Sequence, residues 1–249
     1  MSGSQLNLTA IVFVALFSTG FIFADLGLTG SDPLTFLAYR MLTAAVLLAG
    51  LALILKAKWP KSWGQVFHMA VAGMLLQAIY LGGVFWAISH GVPPGVSGII
   101  AGLQPIIALF FYVLLTGRWL TAFDAVGACL GFLGVMLIVW HKLSANIDLS
   151  WAIAVNFIAA AAYALGAVYT AKFVKSRGKV PEMSVQFAVS GLACLAFALV
   201  YEDMTFRFTP QVLGAFAWSV VMLSILGIFL MLYLIDKGGA KYFSFWNFS

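Results

Sequence analysis

Between Val66 and Trp140 three apolar runs follow one another with almost no chain to spare. The turns joining them are His90-Gly91-Val92-Pro93-Pro94-Gly95 and Gly117-Arg118-Trp119-Leu120. Each run is long enough to cross a hydrocarbon layer of ~30 Å, which restricts the chain to spanning helices packed side by side. Yet the middle run contains Gly102-Leu103-Gln104-Pro105, and lipid tolerates a broken helix and a bare amide only where protein covers them. The combination points to a polar cavity among packed helices.

The pattern extends over the whole chain. Eight spans are expected, at Leu8–Ala24, Leu34–Leu55, Val66–Ile88, Val96–Thr116, Ala122–Trp140, Trp151–Ala171, Met183–Tyr201 and Gln211–Ile235. With 63% hydrophobic and 8% charged residues, 249 residues carry too little polar surface to cover a soluble globule. The fold class is therefore an all-α integral membrane protein, a helical bundle whose main partner is the lipid bilayer. A net charge of +5 would suggest nucleic acid in a soluble protein. Here the basic residues fall between the spans, where they set orientation, and no nucleic acid partner is expected. Cys129 and Cys194 lie inside separate spans, and His68, His90 and His141 are scattered over span edges. Neither set has disulfide or metal spacing, so no metal and no cofactor are expected. The N-terminus lacks a basic region and a small-residue cleavage signature, and reads as a retained helix.

Helix-start chemistry marks several boundaries: Ser31-Asp32-Pro33, Ser62 with Gln65, Thr121 with Asp124, Pro181-Glu182 and Thr209-Pro210. The loops after even-numbered spans hold ten Lys and Arg residues, against two, Lys142 and Arg207, in the opposite loops. The positive-inside rule then places the N-terminus in the cytoplasm. Trp59, Trp63, Trp119, Trp140 and Trp151 fall at span edges, as an interfacial belt requires.

Comparison of the chain with itself gives a loose internal repeat. Spans one to three, ending Trp86-Ala87-Ile88-Ser89-His90-Gly91, resemble spans six to eight, ending Tyr233-Leu234-Ile235-Asp236-Lys237-Gly238. An offset of five spans is odd, so the second copy lies upside down relative to the first, the plan of many secondary transporters. The first copy is assigned to residues 1–145, with five helices, and the second, inverted copy to residues 146–249, with three. A complete second copy would need roughly 45 to 50 more residues. The chain is accordingly expected to be incomplete at its C-terminus, a native eight-span protein being the alternative.

With these residues in view, the chain resembles the EamA-like transporters of the drug/metabolite transporter superfamily over nearly its whole length. The resemblance is carried by Phe17-Ser18-Thr19-Gly20-Phe21, Pro33 to Arg40, the Gly-rich turn into span four, Leu103-Gln104-Pro105, and Gly127 to Val135. It implies an inverted five-plus-five repeat with cytoplasmic termini and a central cavity, here without its last two helices. Asp25 stands where relatives often carry a basic residue, so the charge preference of the substrate does not carry over.

Six residues are candidates for substrate binding. Arg40 lies well inside span two, ~9 Å along the helix, where a charge normally faces a cavity or a partner. It could serve as counter-charge to an anionic or zwitterionic substrate, or instead snorkel to the interface or pair with Asp25 or Asp32. Gln77 and Tyr80 share a face of span three, and Asn156 and Tyr163 share a face of span six. They would suit a small polar metabolite such as an amino acid, or else bond neighbouring helices. Gln104 adjoins the backbone irregularity made by Pro105, of the kind transporters use to line cavities. Gly98 with Gly102, and Gly127 with Gly131, have the spacing of close helix contacts, within one subunit or in a homodimer through span five.

A secondary transporter of a small polar metabolite in the cell membrane, working by alternating access, is the leading functional reading. No GxxxxGK[ST] loop is present for an ATP-driven pump. The eight dispersed acidic residues argue against a membrane-embedded enzyme. A non-transporting remnant or partner-dependent subunit is the remaining alternative.

Overall fold

A computed structural model of the chain describes residues 3–117, 126–127, 130–131, 133–134, 147–174, 178–227 and 229–230. These are helical apart from short connections, and their one extended pairing is an isolated bridge between Ser31 and Phe206. Helix α1 is Gly3–Leu28 and α2 is Pro33–Ile54, with Pro33 pre-setting the first turn. Helix α3 begins at Trp63, where Ser62 Oγ accepts the Gln65 N–H at 3.3 Å. It passes through a π-helical turn, Met74–Ile79, and ends at Ser89. Helix α4 comes in two pieces, Pro94–Ala101 and Gln104–Thr116, broken where Gly102 was expected to interrupt it. Helix α5 is Ile147–Phe173, and α6 is Lys179–Tyr201. Helix α7 starts at Pro210, where Thr209 Oγ1 accepts the Val212 N–H, and turns π-helical over Ser219–Leu226.

Six of these, α1 to α6, are long and apolar enough to cross a membrane, and α7 is a shorter apolar helix. The expected span Ala122–Trp140, with Thr121 and Asp124, lies almost wholly outside the described residues, as does most of the eighth span beyond Leu226. The exterior agrees with a lipid surrounding: Val46, Leu53 and Leu199 are each more than 60% exposed. The protein is a multi-pass membrane protein.

The longest interface joins α2 and α6, which run antiparallel. Ser184 Oγ donates to Ala45 O at 2.9 Å, and Gly191 lies so close to α2 that a Cβ there would sit 2.9 Å from Leu42. Helices α3 and α5 are also antiparallel, brought together at Gly83, whose added Cβ would meet Ala159 at 2.7 Å, and at Gly166, which abuts Leu75. Helices α1 and α7 form a third antiparallel pair through the 3.0 Å bond from Trp218 Nε1 to Thr19 Oγ1. By contrast α4 and α5 run parallel. Asn156 meets Ser97 near the start of both, and Lys172 Nζ reaches Leu115 O near the end of both. Gly117 and Ile147 therefore lie at opposite ends of the bundle.

At one end the α1–α2 turn is tied to the α6–α7 segment. Asp32, within the Ser31-Asp32-Pro33 start signal, occupies the cap position but does not cap through its side chain. Its carboxylate instead accepts the Thr205 N–H at 2.8 Å. The open amides of α2 turn to Glu202, at the end of α6, which accepts from Leu34 N, Thr35 N and Thr35 Oγ1, each at 2.8 Å. At the other end the α2–α3 and α5–α6 turns meet, Gly178 packing against the Lys58 backbone. Lys56, Lys58, Lys61, Lys172 and Lys179 are thereby collected at one end, as the loop count requires.

Candidate substrate site

The close approach of α3 and α5 at Gly83 and Gly166 places Tyr80 against Tyr163. Their ring centroids are 4.8 Å apart, with the planes inclined at 58°. Gln104 opens the second piece of α4, because the Gly102 and Leu103 amides turn back onto Gly98, Ile99 and Ile100. Its side chain adjoins the Tyr80 phenol, but Gln104 Nε2 is buried and finds no acceptor in hydrogen-bonding geometry. Two turns away along both helices, Asn156 Nδ2 donates to Ser97 Oγ at 2.6 Å, both residues being fully buried. Asn156 Oδ1 has no donor.

The arrangement follows from the parallel course of α4 and α5. Ser97 and Gln104 are seven apart, as are Asn156 and Tyr163, so each pair lines one face of its helix. In parallel helices those faces stay in register. The result is a polar strip that ends in one unused donor and one unused acceptor. Each such buried atom costs ~1–3 kcal/mol when left bare. The strip is chemically suited to a small ligand that both accepts and donates hydrogen bonds.

Gln77 lies in the π-helical turn of α3, half-buried, and its side chain makes no hydrogen bond among the described residues. Arg40 belongs to a different interface. It is 7% exposed and faces α7, where its Nε donates to Ser224 Oγ at 3.3 Å. Pairing with an acid of its own end does not occur. Asp32 is engaged with Thr205, Asp25 is exposed, and the only ion pair among the described residues joins Lys179 to Glu182. Nor does Arg40 snorkel to the interface; it stays buried. The small-residue spacing of span five has one counterpart within the chain: a Cβ on Gly131 would lie 2.7 Å from Ile106 of α4.

Three residues of these sites went unnoticed in the sequence. Ser97 could have been found, since it precedes Gln104 by seven. Ser219 and Ser224 could not, because five residues of α-helix would set them about 140° apart. Two clefts of about 300 Å³ also occur. One is bounded by Tyr39, Phe206, Phe208 and Phe216, the other by Met74, Gly82, Trp86 and Phe197. Both are apolar and neither includes any of the six candidate residues, so they match hydrocarbon better than a polar solute.

The model of the EamA-like transporter family matches residues 5–140, a stretch that contains Arg40, Gln77, Tyr80 and Gln104. A solved chain described only as "Crystal structure of protein" superposes with a TM-score of 0.61 at 16% identity, over 96% of this chain and 92% of that one. At that identity the likeness is one of fold. No curated protein matches the chain.

Proposed function

Because the chain belongs to the EamA-like transporter family, we propose that it is a secondary transporter carrying a small polar metabolite, amino acid-like or drug-like, across the cell membrane by alternating access. The observation that carries this reading is the polar strip between α3, α4 and α5, with Gln104 Nε2 and Asn156 Oδ1 buried and unmatched beside a broken helix. Broken spanning helices that expose polar groups to one another are the usual binding elements of secondary transporters.

Several correspondences support reading residues 1–145 and 146–249 as inverted copies. The pairs α1 with α7 and α3 with α5 are both antiparallel, as two equivalent contacts across a two-fold axis in the membrane plane would be. Helices α3 and α7 start from a hydroxyl cap, Ser62 and Thr209, and both turn π-helical midway. The clustered lysines at one end support a cytoplasmic N-terminus. One observation favours the alternative, a partner-dependent subunit: α1 buries far less of its length than α5.

Counterflow of a labelled amino acid panel in vesicles reconstituted with the full chain tests the proposal. Arg40→Ala and Gln104→Ala should abolish exchange while leaving membrane insertion intact. Absence of counterflow for every compound refutes transport of this class. Loss of insertion in both variants assigns the two residues to packing.

A further inference from the structure

Arg40 stands out by what it leaves undone. A guanidinium presents five N–H donors in a rigid plane, and only Nε–H is engaged, with Ser224 Oγ. The two Nη groups make neither a hydrogen bond nor an ion pair among the described residues. A positive charge buried at membrane depth without a counter-charge is among the least favourable states a side chain can adopt.

The α7 wall holds the edge of that guanidinium. Ser224 Oγ, while accepting from Arg40, donates to Ser219 O at 3.1 Å, so the guanidinium edge is held in place by a relay onto the α7 backbone. Ser219 Oγ is itself buried, 1% exposed, and has no partner. The two serines are brought to one face by the π-helical turn Ser219–Leu226, whose i→i+5 bonding sets them one turn apart. Through Ser224, a buried cation whose fork is unengaged among the described residues is tied to the residue that carries a buried, unpartnered hydroxyl.

We propose that Arg40, Ser219 and Ser224 form a carboxylate site, the carboxylate of the transported metabolite lying bidentate on the Nη fork and accepting a further bond from Ser219 Oγ. The inference rests on the transporter reading and narrows its substrate class to monocarboxylates. A single guanidinium balances a single negative charge. A phosphate, with close to two charges, would remain half neutralised, since no second cation approaches among the described residues. Val220 and Leu223 of the same turn are buried and apolar, which strengthens a charge-assisted bond by excluding water.

The test is phenylglyoxal labelling of Arg40 in the full chain purified in detergent, followed by mass spectrometry of the labelled peptide. Chloride, butyrate, methylphosphonate and butylammonium chloride are compared at constant ionic strength. Exposed Arg207 serves as the internal reference. Butyrate should slow Arg40 labelling about fivefold relative to chloride, with Arg207 unchanged and butylammonium without effect. Ser219→Ala and Ser224→Ala should each reduce that protection to within about twofold of chloride. Their size-exclusion profiles and Arg207 rates should stay at wild-type values.

Equal Arg40 labelling in butyrate and chloride overturns the proposal. So does full protection in both serine variants, stronger protection by methylphosphonate, or an Arg40 that no condition labels, since its fork is then occupied. Protection without counterflow refutes transport and leaves the carboxylate site standing; counterflow without protection does the reverse.

Discussion

Replacing Glu202 by Ala removes three hydrogen bonds from the first turn of α2 in one step: those from Leu34 N–H, Thr35 N–H and Thr35 Oγ1, all at 2.8 Å. The first turn of a helix has no internal partners for its amides, and a carboxylate there also meets the positive end of the helix dipole. Hydrogen bonds to a buried charge are worth ~1.5–3 kcal/mol each. Thr35 is fully buried, but Glu202 is only half-buried at the end of the bundle, where water can replace part of the loss. About 1 kcal/mol per bond is the appropriate scale, giving about 2–3 kcal/mol for Glu202→Ala. Thr35→Val, which removes only the hydroxyl, should cost about 1 kcal/mol. In the Glu202→Ala background it should cost almost nothing, so the double-mutant cycle should return a coupling of about 1 kcal/mol. Both quantities are read from denaturant titration of the purified chain in mild detergent, followed by far-ultraviolet circular dichroism. A Glu202→Ala loss below ~0.5 kcal/mol, or equal costs for Thr35→Val in both backgrounds, would refute the claim that α6 caps α2.

Gly73 and Gly50 make a matched pair for the same titration. A Cβ on Gly73 would fall 2.7 Å from Gln186 O and 2.9 Å from Gln186 Cα, backbone atoms that cannot move aside, whereas one on Gly50 meets nothing within 4 Å. Gly73→Ala should therefore destabilise by ~1–3 kcal/mol and Gly50→Ala should be neutral or stabilise by up to ~1 kcal/mol; equal effects would remove the steric argument. Ser97→Ala leaves both ends of the Asn156 amide bare and should cost ~1–3 kcal/mol. Adding Asn156→Leu should recover stability but not counterflow, and recovery of both would show that Asn156 serves packing alone.

What the sequence made legible follows the period of a helix. The spans, the hydroxyl caps at Ser62 and Thr209, and the break before Gln104 are local signals, each set by a few neighbouring residues. The seven-residue spacing of Asn156 and Tyr163 was equally readable. Partners distant in the chain were not: nothing near Pro33 announces that Glu202 will cap α2. Small-residue spacing located one contact, that of Gly131 with Ile106 of α4, and missed at Gly98 and Gly102. A Cβ on Gly102 would press on Ile99 O of its own helix, and one on Gly98 would meet Phe21 at an ordinary 3.5 Å. Other close approaches lie at Gly73, Gly83, Gly166 and Gly191, of which Gly83 with Ala87 and Gly166 with Ala162 do have small-residue spacing. Ser219 and Ser224 stayed hidden because a π-helical turn breaks the periodicity that reading depends on.

The polar side chains of the bundle separate into two groups with different consequences. Glu202, Asp32 and Ser184 have their bonds filled, and each joins two helices near their ends or along the α2–α6 interface; they hold the fold. Four buried side-chain atoms among the described residues have no partner: Gln104 Nε2, Asn156 Oδ1, Gln186 Oε1 and Ser219 Oγ. Gln104 begins the second piece of the broken α4, and Asn156 is bonded to the first. Ser219 opens the π-helical turn of α7. Gln186 packs against Gly73, the residue before the π-helical turn of α3. Irregular backbone and unmatched polar atoms each destabilise a protein in lipid, and independent defects would be scattered. Their nearness to the three irregularities is what the proposed transport would require of a binding element that can rearrange.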